Sequence, residues 1–215
     1  MSAQAENQRS GTRSLIDRLI SVAVTLGVFA KFFAFFVSFA AYSFWFGSWQ
    51  FGLGFVLLIL VHELGHFLEA RRQGVPVTLP TFVPFIGAFV TTRQAGLAPW
   101  RSALISLAGP FVGGLGAAAV WAVGSARDTT WLVVLANIGF LLNAFNLLPI
   151  GFLDGGTISQ CISRSRRGWI RYENGVPVEA MPPDREHANL IMALYVLLAA
   201  GLVAGLLATR HSGML

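Results

Sequence analysis

The chain has 215 residues, of which 55% are hydrophobic and only 12% charged, and its formal net charge is +5. A soluble domain would carry roughly a quarter charged residues, so this composition excludes a disordered chain and argues against an ordinary soluble globule. The basic residues are arginines with one exception, and most of them flank apolar runs instead of forming one patch. This distribution indicates membrane topology rather than a nucleic-acid partner. We therefore predict an all-α polytopic membrane protein embedded in a lipid bilayer.

Five apolar runs are long enough to form membrane helices. They cover residues 19–46, 51–70, 103–123, 131–148 and 188–208. Lys31 interrupts the first run, which is either a tilted helix with the lysine reaching toward the headgroups or an interfacial stretch before a shorter span. Gly201 and Gly205 in the last run have a GxxxG spacing, which serves packing inside a bundle or in a homodimer. The sequence predicts a bundle of about five to six transmembrane helices.

Residues 75–92 are as apolar as a span, but they are unsuited to a helix. Pro76, Pro80 and Pro84 exclude a continuous helix because proline lacks the N–H that the helix needs. The β-branched and aromatic residues around Gly87 favour short strands. We therefore expect a small membrane-embedded, re-entrant β-hairpin or strand segment here.

The arginines also predict the orientation of the bundle. If the N-terminus is cytoplasmic, twelve arginines lie on the cytoplasmic side and two outside, which agrees with the positive-inside rule. The twelve are Arg9, Arg13, Arg18, Arg71, Arg72, Arg93, Arg101, Arg164, Arg166, Arg167, Arg171 and Arg185, and the two are Arg127 and Arg210.

The predicted organisation is one transmembrane domain between two tails. Residues 1–18 form a cytoplasmic N-terminal tail, residues 19–210 the domain, and residues 211–215 the C-terminal tail. Within the domain, residues 157–187 are polar and basic, and we expect a cytoplasmic loop there. Asn174 and Gly175 are a plausible hairpin turn inside that loop.

The second apolar run contains an HExxH motif, from His62 through Glu63 to His66. The four-residue spacing puts both imidazoles on one face of a helix, and Glu63 beside them can reach a metal-bound water. Ionisable groups inside a membrane span are costly and by default mark function. The motif predicts a metal site with His62 and His66 as ligands, the alternative being histidines that only form hydrogen bonds in a polar seam.

A catalytic zinc site needs a third protein ligand and one open position. Asp154 is the best candidate because it follows the fourth run, which descends to the same membrane face as the second. The adjacent Gly155 and Gly156 allow a tight backbone there. His187 competes for this role at the start of the fifth run, and a helix or turn cap is the alternative role for Asp154.

These motifs together resemble the site-2 protease family of intramembrane zinc metalloproteases. The similarity lies in HELGH on one span and in N-x-x-P-x-x-x-L-D-G-G over residues 146–156, with supporting likeness at residues 108–110 and 84–89. It covers about residues 51–156, and it is to a short form without a PDZ or CBS domain.

The resemblance implies roles for individual residues. One Zn²⁺ per chain would be bound by His62, His66 and Asp154, with Glu63 as the catalytic acid and base. Asn146 would hold the substrate backbone or the developing oxyanion. The implied substrate-binding residues are Pro84, Phe85, Ile86, Gly87, Ala88 and Phe89.

The predicted activity is hydrolysis of a peptide bond in or near the transmembrane segment of a membrane-protein substrate, as in regulated intramembrane proteolysis. The alternative is a proteolytically inactive metal-binding scaffold or metal carrier. A carrier would need polar groups on several spans to line a path, whereas here they concentrate on one. A purely structural module leaves the HExxH motif unexplained. The expected location is the plasma membrane of a prokaryote.

Overall fold

The structure, a computed structural model, describes residues 25–83, 87–89, 96–173 and 175–211. Over these ranges it contains six α-helices and two antiparallel strand pairs. In chain order they are α1 (Thr25–Phe46), α2 (Trp49–Arg72), β1 (Thr81–Val83), β2 (Gly87–Phe89), α3 (Pro99–Ala126), α4 (Thr130–Asn146), α5 (Asp154–Arg167), β3 (Trp169–Glu173), β4 (Val176–Met181) and α6 (Arg185–His211).

Four of these helices, α1, α2, α3 and α6, are long and apolar enough to cross a membrane by length and composition, and α4 is a shorter apolar helix of 17 residues. The predicted all-α membrane fold with a small strand segment is confirmed. α4 ends at Asn146, two positions before the predicted end of its run. The reason is Pro149, which disfavours helical backbone in the residue before it.

α3 lies at the centre of the bundle and packs against α2, α4, α5 and α6. The main core contains buried side chains from four of these helices, among them Leu107, Phe140, Ile158 and Leu202. The outer faces of α1 and α6 are apolar instead, with Phe33 of α1 72% exposed and Leu197 of α6 68% exposed. Faces of this kind are suited to lipid.

A second buried cluster joins α1 to α2 and to the strand segment. Tyr42, Val56, Ile59 and Phe82 form its core. Lys31 lies inside helix α1, and its Nζ donates a hydrogen bond of 2.5 Å to the main-chain oxygen of Leu79, just before β1. Lys31 therefore lies within one continuous helix, and its position relative to the membrane interface stays a prediction.

The hairpin predicted within residues 75–92 is present. β1 and β2 pair antiparallel, with Phe82 opposite Ala88. Of the predicted substrate-binding residues, Gly87, Ala88 and Phe89 form β2, and Phe89 is half exposed. Pro84, Phe85 and Ile86 lie outside the described residues.

The segment 157–187 is not the single loop that the sequence predicted. Helix α5 occupies its beginning, the β3–β4 hairpin follows, and α6 starts at Arg185. α5 is polar, but it buries Ile158, Cys161, Ile162 and Ser165, which have the spacing of one helix face. β3 and β4 pair antiparallel with Glu173 opposite Val176. Of the predicted turn residues, Gly175 has a positive φ of 81°, and Asn174 lies outside the described residues.

Two hydrogen bonds attach α6 to α4 and to Leu147, the residue that follows α4. Asn137 Nδ2 donates to Thr209 Oγ1 at 2.6 Å, and the Tyr195 hydroxyl donates to the main-chain oxygen of Leu147 at 2.5 Å. In the GxxxG pair, a methyl group on Gly205 would lie 2.5 Å from the ring of Phe140, whereas Gly201 faces open space. Gly205 thus serves packing inside the bundle, one of the two roles considered for this spacing.

Candidate metal centre

The two histidines of the HExxH motif lie one turn apart on α2 and face the interior of the bundle. His62 is 4% exposed, and its ring centroid is 4.8 Å from that of His66. The two Nε2 atoms are 3.1 Å apart. This is the shared face that the four-residue spacing predicted.

Asp154 is the first residue of α5, and its carboxylate reaches both histidines. Its Oδ2 lies 3.3 Å from His62 Nε2 and 3.3 Å from His66 Nε2. The turn before α5 is tight: a methyl group on Gly155 would overlap the main-chain oxygen of Leu147, and one on Gly156 would overlap that of Ile150. The two glycines therefore let the chain fold back and direct Asp154 toward α2.

His66 is oriented by α3. Its Nδ1 lies 2.8 Å from the main-chain oxygen of Ile105. A carbonyl oxygen only accepts, so Nδ1 carries the hydrogen and the lone pair of Nε2 points toward Asp154. The approach needs small residues, because a methyl group on Gly65 would overlap the main-chain oxygen of Ala108, and one on Gly109 would overlap the His66 ring.

Glu63 lies beside this arrangement. It is buried, and its Oε1 is 4.0 Å from His62 Nε2. The ligand atoms of His62, Glu63 and His66 all lie within 4.8 Å of one another. Glu63 Oε1 is thus farther from His62 Nε2 than Asp154 Oδ2, which lies 3.3 Å from it, and this position suits a proton acceptor next to a metal better than a further ligand.

The ligand atoms fit a zinc ion. His62 Nε2, His66 Nε2 and Asp154 Oδ2 form a triangle with sides of 3.1, 3.3 and 3.3 Å. Tetrahedral zinc with bonds of about 2.0–2.1 Å places its ligand atoms roughly 3.3–3.4 Å apart. Two imidazoles and one carboxylate are also a ligand set of catalytic zinc, and they leave one position open.

The competing third ligand, His187, is engaged elsewhere. Its Nδ1 lies 3.0 Å from Asp184 Oδ1, and its ring stacks on Trp100 with the centroids 4.6 Å apart. Asp184 precedes α6 and also accepts from the main-chain N–H of His187. Although desolvation acts to raise it, these hydrogen bonds hold the pKa of Asp184 below its usual value. His187 is thus a residue of the helix start.

The remaining predicted residue, Asn146, is the last residue of α4 and is half buried. Its role toward substrate stays a prediction. Sequence reasoning missed Asn143, which is fully buried with its Oδ1 2.8 Å from His62 Nδ1. Polar residues in an apolar run are a signal of function, and this signal marks Asn143 together with Asn137 and Asn146. Tyr195, which binds the turn leading to Asp154, had no comparable signal.

The sequence is similar to a known protein family and to several known proteins. The family model for peptidase family M50 matches residues 50–128. The predicted resemblance to the site-2 protease family is confirmed. The match lies on α2, the strand segment and α3, and so includes both histidines of the HExxH motif.

Several relatives carry the name zinc metalloprotease. Rip3 of Mycobacterium tuberculosis is 31% identical over 173 residues, which are 73% of this chain and 42% of Rip3. EGY1 of Arabidopsis thaliana, a chloroplastic protein, is 31% identical over 50% of this chain and 28% of its own length. The protein sll0528 of Synechocystis sp. is 31% identical over 53% of this chain and 32% of its own length.

The chain therefore spans less than half of the length of these zinc metalloprotease relatives. The matches and the four long apolar helices together make it an integral membrane protein. The names of the relatives imply zinc as the metal, which agrees with the ligand triangle on α2 and α5.

Proposed function

We propose that this protein is an intramembrane zinc metalloprotease, which hydrolyses a peptide bond in or near the transmembrane segment of other membrane proteins. The observation that carries the proposal is the convergence of His62 and His66 of α2 with Asp154 of α5 at 3.1–3.3 Å, with Glu63 beside them. α2 is apolar and long enough to span a membrane. We further propose one zinc ion per chain, since the three residues form one site.

Zinc, when bound, polarises the scissile carbonyl and makes a water molecule a nucleophile near neutral pH. The Glu63 carboxylate accepts the proton of that water and then donates it to the nitrogen of the leaving amine. Such general acid–base catalysis contributes typically about 10²–10⁴-fold to the rate. Asn146 donates a hydrogen bond from its amide to the substrate oxygen, on which negative charge develops.

The substrate must be locally unwound, because the carbonyls of an intact helix are already hydrogen-bonded. An extended substrate segment would add to the strand pair next to α2 and gain main-chain hydrogen bonds there. Residues 84–89 are proposed for this contact, and the half-exposed Phe89 of β2 supports it. Contacts between β2 and α2 keep this strand near the helix that carries both histidines.

The orientation belongs to the same proposal. With a cytoplasmic N-terminus, α2 descends toward the cytoplasm, and His62 lies thirteen residues after its start at Trp49, roughly 20 Å along the helix. The catalytic group then lies in the cytoplasmic half of the plasma membrane, and cleavage would release a fragment to the cytoplasm. The concentration of arginines on that side supports this assignment.

The experiment compares wild type with Glu63→Gln, purified in detergent and reconstituted with a panel of single-span membrane proteins. Zinc content and cleavage are measured on the same samples. We expect about one zinc in both proteins and cleavage by the wild type alone, lower by at least about 10²-fold in the variant.

Three other outcomes would count against the proposal. A wild type that binds no zinc after reconstitution would refute the metal site. Zinc in both proteins with equal cleavage would refute the role of Glu63. Zinc with no cleavage of any member of a broad panel would favour the metal-binding scaffold instead.

A further inference from the structure

Asn143 of α4 is completely buried and lies directly behind the metal centre. Its Oδ1 is 2.8 Å from Nδ1 of His62, the ring nitrogen that faces away from the ligand triangle. A buried amide in an apolar helix is costly unless it is paired, and this side chain has partners at both ends of its amide. They determine which way the amide points and what it does to the imidazole.

The direction of the amide is fixed by its other end. Asn143 Nδ2 lies 2.8 Å from the main-chain oxygen of Gly139, one turn earlier in α4. That carbonyl oxygen only accepts, so the NH₂ group of the amide must face it. Oδ1 therefore faces His62 and is an acceptor.

The same reasoning assigns the hydrogen on the imidazole. Because Oδ1 of Asn143 accepts, Nδ1 of His62 carries the hydrogen, and the lone pair of Nε2 points toward His66 and Asp154. His66 reaches the same state through the main-chain oxygen of Ile105. Two nitrogen lone pairs and a carboxylate oxygen then converge without a donor among them, an arrangement that a cation stabilises.

α3 also packs closely on the amide of Asn143, at Gly113. A methyl group on Gly113 would overlap Asn143 Oδ1. Only glycine therefore leaves room for the amide between α3 and α4. The space at Gly113, the carbonyl of Gly139 and the His62 ring together hold Asn143 in one orientation.

We propose that Asn143 is a positioning residue, which holds His62 in the Nδ1–H tautomer and directs its Nε2 toward the metal. This inference rests on the metal site of the proposed function. Residues that accept from a ligating histidine tune metal affinity typically by about 10–100-fold. Asn143 would act through His62 and need not touch zinc or substrate.

The first test measures zinc affinity by competition with a chelator. We expect Asn143→Ala to weaken binding by about 10–100-fold, and Asn143→Asp, which keeps an acceptor for Nδ1, to recover most of that loss. The matched control is Asn137→Ala: Asn137 lies on the same helix, but its amide binds Thr209 of α6. Wild-type affinity in Asn143→Ala, or an equal loss in Asn137→Ala, would overturn the proposal.

The second test reads the tautomer without metal. In zinc-free protein with ¹⁵N-labelled histidine, the nitrogen shifts of His62, assigned with a His62→Gln variant, should show the Nδ1–H form in the wild type. Gly113→Ala keeps the amide but pushes it from its place, so we expect a mixture of tautomers and weaker zinc binding even if Asn143→Ala fails to fold. An unchanged Nδ1–H tautomer in both variants would overturn the proposal.

The two readouts separate this inference from the proposed function. If the wild type binds zinc and cleaves substrate while the variants keep both zinc affinity and tautomer, only the role of Asn143 is refuted. If the wild type binds no zinc, the proposed function fails as a metal-dependent activity, and the tautomer measurement still decides whether Asn143 sets the state of His62.

Discussion

Asp154 had two candidate roles in the sequence, that of a metal ligand and that of a helix or turn cap. It is the first residue of α5, where a carboxylate interacts favourably with the helix dipole. The same carboxylate lies 3.3 Å from both histidine Nε2 atoms. The N-cap of α5 is Leu153 and no side-chain hydrogen bond caps the helix, so Asp154 is placed as the first helical residue and not as the cap.

The first prediction at this scale separates the two candidates for the third ligand. Asp154→Ala leaves two histidines, and we expect loss of most of the bound zinc because catalytic zinc sites use three protein ligands. His187→Ala, the matched control, should keep about one zinc per chain. Elemental analysis of both purified variants decides this, and normal zinc in Asp154→Ala would remove Asp154 from the ligand set.

The HExxH spacing predicted which residues share a face of α2, because helix geometry alone determines it. The link to Asp154 needed two motifs read together, since no local rule joins positions so distant in the chain. The pairing of Asn143 with His62 was not predicted, because the two residues lie on different helices. The hydrogen bond from His66 to Ile105 was not predictable either, since any residue offers a main-chain oxygen.

At the level of helices, the crossing of α2 and α3 determines the geometry of the site. Gly65 packs on the main chain of Ala108, and Gly109 packs on the ring of His66. Without these small residues the two helices would move apart and His66 would lose its contact with Ile105. The glycines of α3 thus do more than allow close packing of a bundle.

The second prediction tests this crossing. In Gly109→Ala the added methyl group displaces the His66 ring, and misplacement by about 1 Å can lower catalysis by about 10²-fold. We expect that loss in cleavage, together with weaker zinc binding. Gly116→Ala is the control on the same helix, since its methyl group would meet only apolar side chains, Val61 at 3.0 Å and Leu58 at 3.8 Å. Equal cleavage by the two variants would contradict the prediction.

Hydropathy predicted the apolar helices because a bilayer requires long apolar segments. It did not predict α5, because the sequence of this helix is polar and has two glycines, which usually weaken a helix, directly after Asp154. Tertiary contact makes α5 possible, since Ile158 and Ile162 are buried in the core with Leu107 of α3. The strand pair was predictable because three prolines had excluded a helix.

For the whole molecule, α1 and the strand segment form a unit beside α2. Phe35 packs edge-on against Phe82 with centroids 5.3 Å apart, and Lys31 binds the main-chain oxygen of Leu79. The rest of the bundle is built around α3. The proposed substrate-binding strands are therefore attached to the helix that exposes many of its apolar side chains.

The third prediction tests that attachment. Lys31→Met removes a charged donor, and hydrogen bonds of this kind contribute about 1.5 kcal/mol or more. We expect amide hydrogen exchange in residues 79–83 to become roughly tenfold faster, while Lys31→Arg, which keeps a donor, resembles the wild type. Mass-spectrometric exchange on protein in nanodiscs measures this, and identical exchange in Lys31→Met and wild type would show that the contact is dispensable.

The separation of the ligands along the chain has a consequence for biogenesis. His62 and His66 enter the bilayer with the second helix, whereas Asp154 is synthesised only after α3 and α4. A nascent chain that has inserted four helices thus offers only two of the three proposed ligands. The proposed three-residue site is therefore complete only after α5 has been synthesised and has packed on α3.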